Sequence, residues 1–270
     1  MSLNPSLNPS LNMNDARFWD DLSDYQKLAH AFTSTYAEAA WRAAALPGRA
    51  TVLDIACGAG ALALVAARGG AQVLATDFSP GMVSAVLSHG LPNIDALVMD
   101  GQALDLPDAC FDAAFSIFGI MLFPDWRRGL AEMARVVRTG GLGCVASWKH
   151  PSGAASNLLL ADRVASLFPD IAQPAAIEGM NYFRDPARFE AALSAAGFAD
   201  VRIAETSSDY LIEAAALDDP ARLFQFSPVW APLNERQRAA VLGSIRSSVE
   251  EAGGVLTVPS PALIAIGRRT

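Results

Sequence analysis

Residues 52–77 read VLDIACGAGALALVAARGGAQVLATD. An apolar run leads into Gly58 and Gly60, an apolar helix-forming segment ends at Gly69-Gly70, and a second apolar run closes on Asp77. Strand, glycine turn, helix and strand in that order make one β-α-β unit. Inside it, Gly58-Ala59-Gly60-Ala61-Leu62-Ala63 fits the G-x-G-x-x-A nucleotide fingerprint. Glycine lets the backbone turn sharply and approach a ligand where a Cβ would clash. The helix that follows offers open N–H donors and partial positive charge. An acid at the end of the second strand can accept from both hydroxyls of a ribose. The unit therefore predicts an adenosine-type ligand at the carboxyl ends of the strands.

The same rhythm continues outward. Ser79 is a candidate N-cap with Pro80 at the first helical position, opening a helix to about residue 88. Strands are expected over 96–99, 111–118 and 142–148. A helix over 125–138 carries Leu130, Met133, Ala134 and Val137 on one face, with Gly140-Gly141 as its end. Repeated β-α-β units predict a doubly wound α/β fold with a sheet covered on both faces. Upstream, Phe18, Leu22, Tyr25, Ala29, Phe32, Tyr36 and Ala40 make one apolar stripe, which predicts a helical cap over about 15–46. Downstream, 156–167 and 186–196 read as helices, 201–212 as a strand, 219–251 as broken helix and 262–267 as a last strand. Residues 1–12, MSLNPSLNPSLN, read as a disordered leader or a cloning remnant. The expected organisation is one domain over 13–270. It has the N-terminal cap, a cofactor-binding core over about 50–150, and cap segments with the closing strands over about 151–270.

Of the 270 residues, 52% are hydrophobic and 18% charged, enough for a sizeable core. The formal net charge of −8 repels polyanions, and Arg127-Arg128 and Arg268-Arg269 are only pairs, so nucleic acid is not the expected partner. Cys57, Cys110 and Cys144 are scattered and odd in number, which fits a reducing cytoplasm and gives neither a disulfide framework nor a metal site. No apolar run is long enough for a membrane span.

Hydride transfer from a nicotinamide and methyl transfer from S-adenosylmethionine both use such a fingerprint, so later residues must separate them. Asp54 lies inside the first apolar strand, where a carboxylate needs partners. A nicotinamide fingerprint has no need of it; a ligand or loop carrying an ammonium and N–H donors could use it. The third strand closes on Asp100-Gly101-Gln102, a second acid at the carboxyl edge suited to an adenine amino group. No Tyr-x-x-x-Lys pair occurs, although other dehydrogenase catalytic pairs exist.

Taken together, VLDIACGAG, ATDFSPGMV and the run from Val98 through Trp148 resemble the class I S-adenosylmethionine-dependent methyltransferases. The likeness is to the small-molecule branch that includes the ubiquinone/menaquinone-type enzymes. FEAALSAAGFADVRIAE is similar to that family's later helix and sixth strand. The resemblance implies a Rossmann-like seven-stranded sheet with its last strand antiparallel. It also implies roles by position. Asp54, Ala56, Gly58 and Gly60 would surround the methionine end. Asp77 would hold the ribose, with Phe78 and Met82 against the adenine. Asp100, Gly101 and Gln102 would line the adenine edge, and Ser116 and Ile117 would flank the sulfonium. Cys57 and Ala59 stand where the family often carries other residues.

The acceptor implied is a small organic molecule. The position where amino-methylating DNA enzymes carry an Asn/Asp-Pro-Pro-aromatic motif reads Ser116-Ile117-Phe118-Gly119 here. Pocket candidates are Tyr25, Tyr36, Phe118, Met121, Trp148 and Tyr182, with Phe123 and the later Phe224, Phe226 and Trp230 as further aromatic walls. Methyl transfer from a sulfonium is an in-line displacement in which the protein aligns the partners and excludes water. His150, after the fifth strand, is the candidate general base; His30 reads as a solvated or packed helix residue, His89 as a helix C-terminal one. Asp125 reads chiefly as a helix cap.

Overall fold

Why the first strand sits at the centre is visible in its own residues. Val52, Leu53 and Ile55 are apolar on both faces, so the strand needs cover on both sides. A computed structural model of the chain describes residues 13–20, 25–172, 175–225 and 227–270, with only the backbone of 25–29. The expectations for residues 1–12, Leu22, Phe226 and the side chains of Tyr25 and Ala29 lie outside the described residues.

The larger of two compact units comprises Met13–Pro151, Ile177–Thr206 and Pro261–Thr270. It holds β1 (Thr51–Ile55), β2 (Gln72–Asp77), β3 (Ile94–Val98), β4 (Phe111–Ile117) and β5 (Val137–Trp148). With β6 (Phe198–Glu213) and β7 (Val255–Arg269) they form a seven-stranded sheet in the order β3-β2-β1-β4-β5-β7-β6. β1 to β5 pair in parallel, and β7 runs antiparallel to β5. Both the sheet and its antiparallel last strand were legible in advance.

The helices of this unit are α1 (Ala16–Asp20), α2 (Tyr25–Ala44), α3 (Ala61–Arg68), α4 (Pro80–Leu87), α5 (Trp126–Val136), α7 (Glu178–Phe183) and α8 (Pro186–Ala195). The N-terminal stripe falls on α1 and α2, and Tyr36, Ala37, Ala40 and Ala44 are buried from α2. Ser79 caps α4 by accepting from the Met82 amide at 3.1 Å, with Pro80 opening the helix as expected. Asp125 caps α5 by accepting from the Arg128 amide at 3.1 Å.

Gly140-Gly141 does not end α5. The helix stops at Val136 and β5 begins at once, taking both glycines into the strand. The register against β4 shifts between Phe111 and Ala113, and Gly140 lies at φ +79°. A Cβ on Gly141 would lie 2.6 Å from the Asp112 carbonyl oxygen. The glycines thus build a bulge, where a left-handed residue and a bare Cα are needed.

The smaller unit comprises, among the described residues, parts of Ser152–Ala176 and all but Phe226 of Ser207–Ser260. It contains α6 (Ala155–Leu167), α9 (Pro220–Leu223) and α10 (Glu235–Glu251), so the broken helix expected over 219–251 is two helices. Leu160, Val164, Ile212, Phe224, Val241, Ile245 and Val249 form its own core. A capping box, Asn234 with Gln237, starts α10. Among the described residues no helix is long and apolar enough to cross a membrane.

Candidate cofactor and acceptor site

The five parallel strands end on one edge of the larger unit, and a cavity of about 260 Å³ opens there beyond β1 to β4. Its floor begins with β1. Asp54 is 1% exposed, and its Oδ2 accepts from the Ala63 amide in the first turn of α3 at 3.0 Å. Burial pushes its carboxyl up to about 8, against the pull of that hydrogen bond, and Asp77 pushes it further the same way. Beyond β1 the backbone turns through three left-handed residues, Ala56 (φ +54°), Gly58 (+51°) and Gly60 (+88°). Ala56 is not a glycine, so the loop stores strain where the ligand would lie.

Asp77, at the end of β2, holds this loop in place. Its Oδ2 accepts from the Gly58 amide at 2.9 Å and its Oδ1 from the Ser79 amide at 3.0 Å. Burial raises its carboxyl above the usual range, while those amide bonds oppose the rise. One acid therefore links the glycine loop to the start of α4. From β3, Asp100 Oδ1 accepts from both nitrogens of Gln102, at 2.8 and 3.1 Å. Gln102 Oε1 in turn accepts from the Asp125 amide at 2.9 Å.

Asp54, Ala56, Gly58, Asp77, Phe78, Met82, Asp100, Gly101, Gln102 and Ile117 all line the cavity. Gly60 and Ser116 stand behind the wall. Gly60 precedes α3, and the Ser116 Oγ accepts from the Ile120 amide at 3.0 Å. Of the acceptor-pocket candidates, Phe118 lines the cavity. Tyr36 and Trp148 pack behind it, with Phe118 and Trp148 stacked at 3.6 Å between centroids. Met121 is buried with its Sδ accepting from the Ser147 Oγ, and Tyr182 packs on Trp126. His150 is not on the wall. Phe224 and Trp230 belong to the smaller unit.

Sequence reasoning named Tyr25 and Tyr36 from the N-terminal cap and missed the cap residues that line the cavity. Met13, Asn14, Trp19, His30 and Thr33 line the cavity as well. Trp19 Nε1 donates to the Met13 carbonyl at 2.9 Å. Asp20 Oδ1 accepts from the Ser79 Oγ at 2.6 Å and the Gly81 amide at 2.8 Å, which ties α1 to the start of α4. For His30 and Thr33 a signal existed: they lie three apart on α2, each one residue after a member of the apolar stripe, Ala29 and Phe32. For residues 13–19 no local pattern announced a ligand wall.

Close backbone approach shapes the far end. A Cβ on Gly119 would sit 2.5 Å from the Ala56 Cβ and 2.8 Å from the Ser116 Oγ. Gly119→Ala should therefore cost about 1–3 kcal/mol of stability by overpacking. It should also part the β1 and β4 loops, so thermal unfolding and cofactor titration should both register the change; an unaltered Tm would disprove the crowding.

Chemically, the wall carries three carboxylates and, among the described residues, no Lys, Arg, Glu or Tyr. A buried acid at the glycine loop, an acid at the end of β2 and an acid beyond β3 suit a ligand with a cationic end, a ribose and an amino-bearing base. S-adenosylmethionine has all three. No group of three or more His, Cys, Asp or Glu able to hold a metal occurs among the described residues.

Comparison with known proteins agrees with this geometry. A methyltransferase-domain family model matches residues 52–141. A demethylmenaquinone methyltransferase of Corynebacterium efficiens is 32% identical over 164 residues, 58% of this chain and 70% of that protein. One of Renibacterium salmoninarum is 34% identical over 143 residues, 51% of this chain and 60% of the other. Among solved structures, a Haemonchus contortus phosphoethanolamine N-methyltransferase complexed with S-adenosylhomocysteine superposes with a TM-score of 0.55 at 15% identity. It covers 95% of this chain and 60% of its own, a likeness of fold alone.

The chain belongs to the class I S-adenosylmethionine-dependent methyltransferases, similar to the menaquinone-type members. Its cofactor is S-adenosylmethionine, its reaction is methyl transfer to a small molecule, and the nicotinamide alternative is not favoured.

Proposed function

We propose that the methyl acceptor is a flat, apolar hydroquinone-type ring. The observation that carries this reading is the apolar part of the cavity wall. Ile117, Phe118, Leu122, Phe123 and Pro124 supply it, and among the described residues the wall has no Lys or Arg to receive a phosphate. The names of the relatives, demethylmenaquinone methyltransferases, support the same class.

The bound donor supplies an activated methyl on a sulfonium, so the chain's task is alignment and exclusion of water. Asp77 fixes the ribose, Asp100 meets the adenine edge and Asp54 faces the ammonium. Phe118 takes the acceptor face; its φ of +65° and its stack on Trp148 hold the ring in one place. The net charge of −8 speaks against a nucleic-acid acceptor. Free Cys57, Cys110 and Cys144 suit a reducing cytoplasm.

The test offers the protein labelled S-adenosylmethionine with a prenylated 1,4-naphthohydroquinone or with phosphoethanolamine. Methyl transfer to the naphthohydroquinone alone is expected. Transfer to the phosphorylated amine would overturn the acceptor class.

A further inference from the structure

The donor's methionine end carries an ammonium and a carboxylate, and the carboxylates on the wall can serve only the first. Asp54, Asp77 and Asp100 are acids, and Cys57 is a thiol whose ionisation burial suppresses. Among the described residues, His30 is the one wall side chain able to carry positive charge.

The His89 ring lies 6.1 Å away at 28°. Burial first, then His89 and Arg68, hold the His30 imidazole below its usual range, so without an anion the ring stays neutral and an entering carboxylate would favour its protonated form. The Nδ1 of His30 is buried with no hydrogen-bond partner among the described residues. A polar atom buried in that way beside a ligand cavity points to a missing partner.

Position agrees with charge. α2 packs along α3, and the first residues of α3, Ala61 and Leu62, share the wall with His30 and Thr33. The Ala63 amide is taken by Asp54, and the Leu64 amide by the Gly60 carbonyl.

We infer that His30 is the counter-group of the donor's carboxylate, binding it from α2 across the glycine loop while Asp54 takes the ammonium. This rests on S-adenosylmethionine being the cofactor. It makes the N-terminal cap part of the cofactor site. His30 is a binding residue here and takes no part in the methyl step.

The experiment is a cycle of calorimetric titrations. S-adenosylmethionine and its decarboxylated analogue are each titrated into the wild-type protein, His30→Ala and His30→Gln. In the wild type, removal of the ligand's carboxylate should weaken binding about ten- to fiftyfold, the scale of one charge-assisted hydrogen bond. His30→Ala should weaken S-adenosylmethionine by a similar factor and leave the decarboxylated analogue unchanged. His30→Gln, which keeps a donor, should fall between.

Equal weakening of both ligands by His30→Ala would mean a structural role and would overturn the inference, as would no weakening of either. Thermal unfolding of both variants shows whether the fold is kept; if alanine is not tolerated, the glutamine variant gives the same cycle. Failure of the wild type to bind either ligand would instead strike at the cofactor, a different result from an additive cycle.

Discussion

Asp77→Ala should weaken S-adenosylhomocysteine binding by about 10²–10⁴-fold, which calorimetry will measure directly. The figure follows from what the carboxylate does. Ribose offers two hydroxyls, and hydrogen bonds to an ionised acceptor contribute about 1.5–3 kcal/mol each. Alanine removes both. It also leaves the Gly58 and Ser79 amides without the acceptor that holds them at 2.9 and 3.0 Å, so the glycine loop loses its anchor. Asp77→Asn separates the two effects. An amide oxygen can still accept from Gly58, while the charge and one acceptor are lost, so an intermediate affinity is expected. Asp100→Ala should cost less, because Asp100 is exposed and water competes for its partners. Unchanged affinity in Asp77→Ala would remove Asp77 from the ribose site.

Much of this site was legible because its chemistry is concentrated on strand ends. Asp54, Asp77 and Asp100 each interrupt or close an apolar run, and a charge in that place has few structural reasons to exist. The β-α-β rhythm fixed which edge they share. Gly140-Gly141 was misread because a glycine pair after a helical segment signals a C-cap and a bulge equally well. Only the Asp112 carbonyl, on the neighbouring strand, distinguishes them. β6 runs longer than the expected 201–212 only at its ends, taking in Phe198 to Asp200 and Glu213.

The acceptor wall was the hardest part to read. Aromatic side chains serve a core and a pocket alike, and sequence does not say which ring faces the cavity. Tyr36, Phe118 and Trp148 were equivalent in sequence; in the fold they are layers, with Phe118 in front and the other two supporting it. Residues 13–19 reach the wall through a tertiary tie, Asp20 to Ser79 and Gly81, between segments far apart in the chain. No local periodicity encodes such a contact.

Without ligand, the protein should lose stability as pH rises from about 4 towards 8, and Asp54→Asn should largely remove that loss. The carboxyl of Asp54 titrates near 8 in the fold because burial disfavours its charge. In the unfolded chain an aspartate titrates at about 3.9. The folded state thus binds the proton more tightly, so this contribution is fully present below the unfolded pKa and is lost as pH climbs through the folded one. Asp77, raised in the same direction, adds a slope of its own that Asp54→Asn leaves in place. Cofactor binding should reverse the effect. An ammonium beside Asp54 favours the carboxylate, so the acid gives up its proton as the ligand enters. Titrating S-adenosylhomocysteine at pH 7 in buffers of different ionisation enthalpy should show about one more proton released by the wild type than by Asp54→Asn. Any proton that His30 takes up cancels in that difference. Equal proton counts in the two proteins would mean that the ammonium lies elsewhere, and with it the methionine end of the site.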